Sequence, residues 1–127
     1  MTRSAYRSRW LAYLSSPQWY ARRDRYRYRH PNAACLACGA KRYDLHHVDH
    51  ARSFTKAGAF RGAERDSDLV PLCRPHHDLA HQYWASKRYR TRRLATLAAV
   101  ADARRGQRKV ARKRRIHQAV LVLAGRG

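Results

Sequence analysis

The 127-residue chain carries 29 lysines and arginines against 8 aspartates and glutamates, a formal charge of +21. Such an excess repels itself in a compact fold and calls for a polyanionic partner: nucleic acid first, an acidic membrane surface second, with no apolar run long enough to favour a spanning segment. Three cysteines, an odd number, and an arginine-rich start without a secretory leader argue against a disulfide framework. They point to a reducing cytoplasm, where thiols read as metal ligands.

Ser4 to Leu14 places Tyr6, Trp10 and Tyr13 or Leu14 at helical spacing on a basic background. Ser15-Ser16-Pro17-Gln18 then reads as a helix start. Either serine can cap, Pro17 suits the first turn and Gln18 can close a capping box on Ser15. The second helix runs through Trp19, Arg23 and Tyr26 and ends before Pro31. Tyr43 to Val48, partly β-branched or aromatic, predicts a strand, and Ala51 to Asp66, with Gly58 and Gly62 and no clear period, a loop. Leu69-Val70-Pro71-Leu72 is a short apolar run whose proline suits an edge strand or a bulge. Pro75 opens a third helix carrying His77, Leu79, His81 and Trp84. Beyond Lys87, Leu94, Leu97, Ala98 and Ala101 form a helical stripe expected to stop near Gly106. A basic run at Arg112 to Arg115 then leads into an apolar end, Val120 to Leu123, expected to pack on the domain or on another copy. The expected organisation is a basic helical arm at 1–30, a central unit at 31–86 and an Arg/Ala-rich helical extension at 87–127, α+β and mainly helical overall.

The central unit holds all three cysteines and most of the histidines. Cys35-x-x-Cys38-Gly39 is a knuckle whose thiolates can reach one ion, and Cys73-x-x-His76 is a second pair at the same spacing. Four soft or borderline ligands in two pairs fit a tetrahedral structural Zn2+, with His77 as the alternative fourth ligand to His76. A redox reading of the knuckle requires a βαβ context that the pattern lacks. Two further histidine groups remain, His46-His47 on the strand and His77-x-x-x-His81 on one helix face. Histidine serves both as general base near neutral pH and as metal ligand, and phosphodiester hydrolysis needs both roles.

Cys35-x-x-Cys38, Leu45-His46-His47 and Asp68-Leu69-Val70-Pro71-Leu72-Cys73-Arg74-Pro75-His76-His77 together resemble an HNH endonuclease over about residues 31 to 82. Tyr13-Leu14-Ser15-Ser16-Pro17-Gln18-Trp19 with Arg23, and Gly62-x-Glu64 before Asp68, are similar to one subgroup of that family. The resemblance implies a ββα-metal core with a zinc staple, flanked by basic helices. It implies His47 as the base that activates water, and His46, His77 and His81 as ligands of a catalytic divalent metal (Mg2+, Mn2+, Ni2+ or Zn2+). The metal would bridge the scissile phosphate and the leaving 3′ oxygen. Asp68 stands at the middle position, normally asparagine, that ties down the loop of the base. Proteins of this kind and size occur in phages, mobile elements and bacterial defence.

Glu64 and Asp66 are candidate carboxylates near the metal. Asp49 and His50 read first as a solvated turn, and His30 and His117 have no evident partner. Arg22, Arg23, Arg25, Arg27 and Arg29, interleaved with tyrosines, are one expected nucleic-acid surface. Arg112, Arg114 and Arg115 are a second, and Arg88, Arg90, Arg92 and Arg93 a further basic run. The expected partner is DNA before RNA, held mainly through phosphates, by a monomer or homodimer with no membrane and no small-molecule cofactor.

Overall fold

A computed structural model describes residues 2–125. Three of its four α-helices begin where a side chain answers a free backbone amide. Thr2 accepts from the Ala5 amide at 3.0 Å and starts α1 (Arg3–Leu14). Ser16 accepts from Trp19 at 3.2 Å and starts α2 (Pro17–Arg29), with Pro17 in the first turn. The cap is therefore Ser16, whose third following residue is Trp19, and the box expected between Gln18 and Ser15 does not form.

Two strands, β1 (Asp44–His47) and β2 (Leu69–Leu72), pair antiparallel with His46 opposite Val70 and His47 opposite Leu69. In a two-stranded ribbon each strand is an edge, so Pro71 is tolerated despite its missing amide. A short 3-10 turn, Asp66–Asp68, leads into β2. Then α3 (Arg74–Ala85) follows with Pro75 in its first turn, and α4 (Arg92–Ala124) starts at the Thr91 cap.

Two apolar clusters hold these elements. Tyr13, Trp19, Tyr26, Leu45 and Leu69 join α1 and α2 to one face of the ribbon. Cys35, Ala37, Leu72, Ala80, Ala99 and Val100 join the first knuckle, β2, α3 and α4 on the other side. The helical arm and the start of the C-terminal extension thus share their cores with the central unit. Each fully buried large apolar side chain contributes about 1.5–3 kcal/mol, an upper bound because unfolded chains are partly collapsed.

The fourth helix differs from expectation in two respects. Its buried face is Ala95, Thr96, Ala99 and Val100, whereas Leu94 and Leu97 are 47% and 51% exposed. Small residues let α4 lie close against α3, and that proximity outweighs the larger side chains one position away. The helix also runs through Gly106, whose cost of about 1 kcal/mol is borne by good helix formers on both sides. Among the described residues Val120, Leu121, Val122 and Leu123 are 46–69% exposed and do not pack on the domain, the first of the two expectations for them. Among the described residues no helix is long and apolar enough to cross a membrane.

Candidate metal centres

Gly39 (φ +76°) turns the first knuckle back so that its amide donates to the Cys35 carbonyl at 2.8 Å. The Leu36 amide donates to the Pro71 carbonyl at 2.9 Å, which fixes the knuckle to β2 immediately ahead of Cys73. Cys35, Cys38, Cys73 and His76 consequently converge, with their donor atoms all within 4.8 Å of one another and no disulfide formed. Cys38 and Cys73 sulfurs are 3.7 Å apart, and Cys35 Sγ lies 3.6 Å from His76 Nδ1. Tetrahedral zinc bonds of about 2.3 Å to sulfur and 2.05 Å to nitrogen give edges of about 3.8 and 3.6 Å. The donor set fits zinc in chemistry and these two spacings match, while Cys73 Sγ and His76 Nδ1 at 3.1 Å stand closer than a zinc edge and would have to move apart.

The state of the thiols favours a cation at this group. Burial raises the Cys35 thiol, but hydrogen bonds from the backbone of Cys73, Cys38 and Ala37 and from His76 bring it down to about 6. Burial and then the neighbouring sulfurs of Cys35 and Cys38 push Cys73 up to about 11. Without a cation the thiolates oppose one another, and a divalent ion removes that opposition. The structure gathers His76 into this group and leaves His77 to the next one.

Adjacent strand residues face opposite ways, and the His46-His47 pair is divided by that geometry. Asp44 and His46 face α3, where His46, His77 and His81 form a second group of possible ligands. His77 and His81, one helical turn apart, bring their Nε2 atoms to 3.0 Å. Two imidazole nitrogens on one ion at about 2.1 Å lie about 3.0–3.4 Å apart, so this pair also fits. Two of the rings are tied from behind. His77 Nδ1 is 3.1 Å from Asp44 Oδ2. His46 Nε2 is 2.9 Å from Thr96 Oγ1, whose own hydroxyl donates to the Arg92 carbonyl at 2.9 Å. Thr96 must therefore accept from His46, which sets the proton on Nε2 and leaves the Nδ1 lone pair free for a ligand. Burial first, then the charges of His77, His81 and Arg92, lower His46 to about 2, so it is neutral as a metal ligand must be. His81 is lowered for the same reasons, with Asp78 acting in the other direction. Buried His46 lies beside exposed His81, so the group opens to solvent on one side.

His47 and Leu45 face the aromatic cluster. His47 Nε2 is 2.7 Å from Glu64 Oε2, and its ring centroid lies 4.7 Å from Trp10 and 4.6 Å from Trp19. The side chain is held on the far side of β1 from the three-histidine group, and His47 as a whole is 5% exposed. Tyr13 donates to both Glu64 oxygens at 2.8 and 2.7 Å, and Ser53 donates at 3.2 Å. Burial would raise the Glu64 pKa, but these hydrogen bonds, with His47 first, hold it below the usual carboxylate range. Gly62 (φ +57°) allows this placement, since a Cβ there would meet the Gln18 carbonyl oxygen at 2.9 Å. Glu64 was expected near the metal ligands, and the structure makes it the partner of His47 instead.

Asp68 is 2% exposed and accepts from Arg52 Nη1 at 3.1 and 3.0 Å and from the Arg65 amide at 2.8 Å. Every partner is a donor, so this carboxylate ties the 52–65 loop without the amide donor of an asparagine. His50, expected in a solvated turn, stacks on Trp10 at 3.9 Å and meets Tyr6 Oη at 2.9 Å. His30 does have a partner, Asp66, at 2.9 Å.

The basic surfaces need one correction. Arg22 is 1% exposed, donating from Nε to the Glu64 carbonyl at 2.6 Å and from Nη2 to Asp66 at 2.5 Å, so it braces the loop and has no surface for phosphate. Arg25, Arg27 and Arg29 are exposed and Arg23 half-buried beside Tyr20, while Arg112, Arg114 and Arg115 are exposed on the free end of α4. Thr96 and Asp44 escaped the sequence reading. Asp44 could have been found as the same-face neighbour of His46, whereas nothing local marks Thr96.

Compared with protein-family models, curated proteins and solved structures, the chain matches none of them.

Proposed function

We propose that this chain is a metal-dependent endonuclease of the HNH kind that hydrolyses phosphodiester bonds in DNA. The observation that carries the proposal is the His46, His77 and His81 donor set, open on one side and tied from behind by Thr96 and Asp44. Three nitrogen ligands with a free face are the pattern of a catalytic rather than a structural ion. A divalent ion held there would supply positive charge to the phosphate and the leaving 3′ oxygen. The Cys35, Cys38, Cys73 and His76 group is the structural zinc site, and it holds His77 at the start of α3.

In this reading His47 takes the proton from water once its ring, held on the far side of β1 and 5% exposed, gains access to the phosphate at the three histidines. Its Nε2–H is committed to Glu64, so Nδ1 is the accepting atom, and the Glu64 carboxylate stabilises the imidazolium that results. Asp68 and Arg52 fix the loop that carries Glu64. Arginines on α2 and α4 hold flanking phosphates. Beyond Ala103, α4 is exposed on every side. A helix about 10–12 Å across fits the major groove of DNA at about 12 Å, whereas the deep, narrow groove of duplex RNA does not admit one.

A second reading is a zinc-stapled nucleic-acid-binding module without catalysis, favoured by the 5% exposure of His47. Plasmid cleavage with Mg2+, Mn2+ or Ni2+, wild type against His47→Ala, separates them. The nuclease reading expects cutting by the wild type and none by the variant, with zinc content and DNA binding retained. Equal cutting removes His47 from the mechanism, and no cutting by the wild type leaves the binding module.

A further inference from the structure

Beside the three-histidine group lies a cation that no carboxylate answers. Arg92 is the first residue of α4, one turn before the Thr96 that holds His46. Its guanidinium lies over the Trp84 ring, 5.4 Å from the centroid. Its charge is felt at His46, His50, His81 and Tyr6, and its own desolvation lowers its pKa. Of the arginines around it, Arg52 and Arg93 pair with Asp68 and Arg74 with Asp44, while Arg88 and Arg90, both exposed, make no salt bridge among the described residues. Among the described residues Arg92 makes no salt bridge and no side-chain hydrogen bond.

A half-buried guanidinium among imidazoles is costly without a counter-ion. A divalent ion on the three rings would add to the same sign of charge. The place therefore lacks negative charge, and a phosphodiester supplies it in a form whose two free oxygens match the guanidinium fork. The Trp84 face holds the guanidinium by a cation–π contact and limits its orientation.

We propose that Arg92, held over Trp84 beside His46 and His81, is the phosphate-binding residue of the site and positions the scissile phosphodiester against the three histidines. This rests on the hydrolase reading above for the identity of the substrate, and on the unpaired cation for the identity of the ligand.

The test compares wild type, Arg92→Lys and Arg92→Gln as full-length zinc-containing protein supplied with Mg2+, Mn2+ or Ni2+. Substrates are plasmid DNA and bis(4-nitrophenyl) phosphate, the latter too small to use the basic helices. Arg92→Gln is expected to lose about 100-fold in kcat/KM on both substrates. Arg92→Lys is expected to recover part of that loss, with metal content and melting temperature unchanged. A simple clamp between α3 and α4 would instead lower the melting temperature and gain nothing from lysine. Activity of Arg92→Gln within about threefold of an active wild type overturns the proposal and leaves the nuclease reading intact. Inorganic phosphate titrated into the Mg2+-supplied wild type, read from the ring NMR signals of His46 and His81, gives a measure free of turnover. Saturable shifts lost in Arg92→Gln support the proposal. Absent shifts in the wild type, or the same shifts in the variant, overturn it. A wild type that cuts nothing sinks the nuclease reading, while the phosphate titration still decides on Arg92.

Discussion

His46 on β1 and Thr96 on α4, 50 residues apart in the chain, meet at 2.9 Å, and both are at most 2% exposed. The helix that begins the C-terminal extension therefore orients a candidate metal ligand. Thr96→Val keeps the shape and removes the acceptor, leaving the His46 N–H unanswered. Metal affinity at the three-histidine site should fall about 10- to 100-fold while the Cys3His site keeps its zinc. Calorimetric titration of metal into the zinc-containing protein checks this, and unchanged affinity would sink the role given to Thr96.

The Cys3His group should hold about one zinc per chain, detectable by elemental analysis. Cys73→Ser should release it and lower the unfolding midpoint by about 12 °C, taking ~3 kcal/mol lost at about 4 °C per kcal/mol. Full retention of zinc by the variant would remove Cys73 from the ligand set.

Glu64 answers three buried donors, on Tyr13, Ser53 and His47. Glu64→Ala should cost about 2–4 kcal/mol in urea unfolding, because the donors are left in the interior without a partner. A loss below about 0.5 kcal/mol would mean that water replaces the carboxylate.

Burial first, then Arg92 and His47, lower His50 from 6.5 to about 3 in the folded protein. Between those values the unfolded chain binds the extra proton and the native one does not. Stability should then fall as pH drops below about 6.5, by up to about 1.4 kcal/mol per pH unit from this ring alone. His50→Phe keeps a ring on Trp10 and removes the titration, so its acid limb between pH 6.5 and 4 should be flatter. Equal slopes would refute the buried neutral state of His50.

Removing residues 107–127 takes away six basic residues between Arg108 and Arg115 but none of the buried face of α4. The fold should persist by circular dichroism. The slope of log affinity for duplex DNA against log salt should become shallower by about 0.9 for each phosphate that the shortened chain no longer neutralises. An unchanged slope would mean that the free end of α4 does not meet DNA.

Local chemistry made much of this legible. The Ser16-Pro17 start, the knuckle spacing and the i, i+4 histidines on α3 depend on residues a few positions apart, and each stands where expected. What the sequence hid depends on distance. The face α4 buries is chosen by how closely it can approach α3, so small Ala95 and Ala99 go inward while Leu94 and Leu97 stay out. Arg22 lies in an apparently uniform run of arginines, and only the return of the 52–66 loop distinguishes it. The division of His46 from His47 follows from strand alternation and was available in principle.

The adjacency of those two histidines leaves the ribbon open to an error of registration. A slip of β1 by one position against β2 would exchange the faces and still present an imidazole on each side. Their neighbours do not tolerate the exchange. Leu45 would move to the side of the three histidines, out of its aromatic cluster, and Asp44 would enter the cluster of Tyr13, Trp19 and Leu69 without the partners it has in His77 and Arg74. Fidelity of the assembled centre thus rests on the aspartate and the leucine that flank the pair, and replacing both by residues indifferent to burial should yield a protein that folds into two mixed pairings.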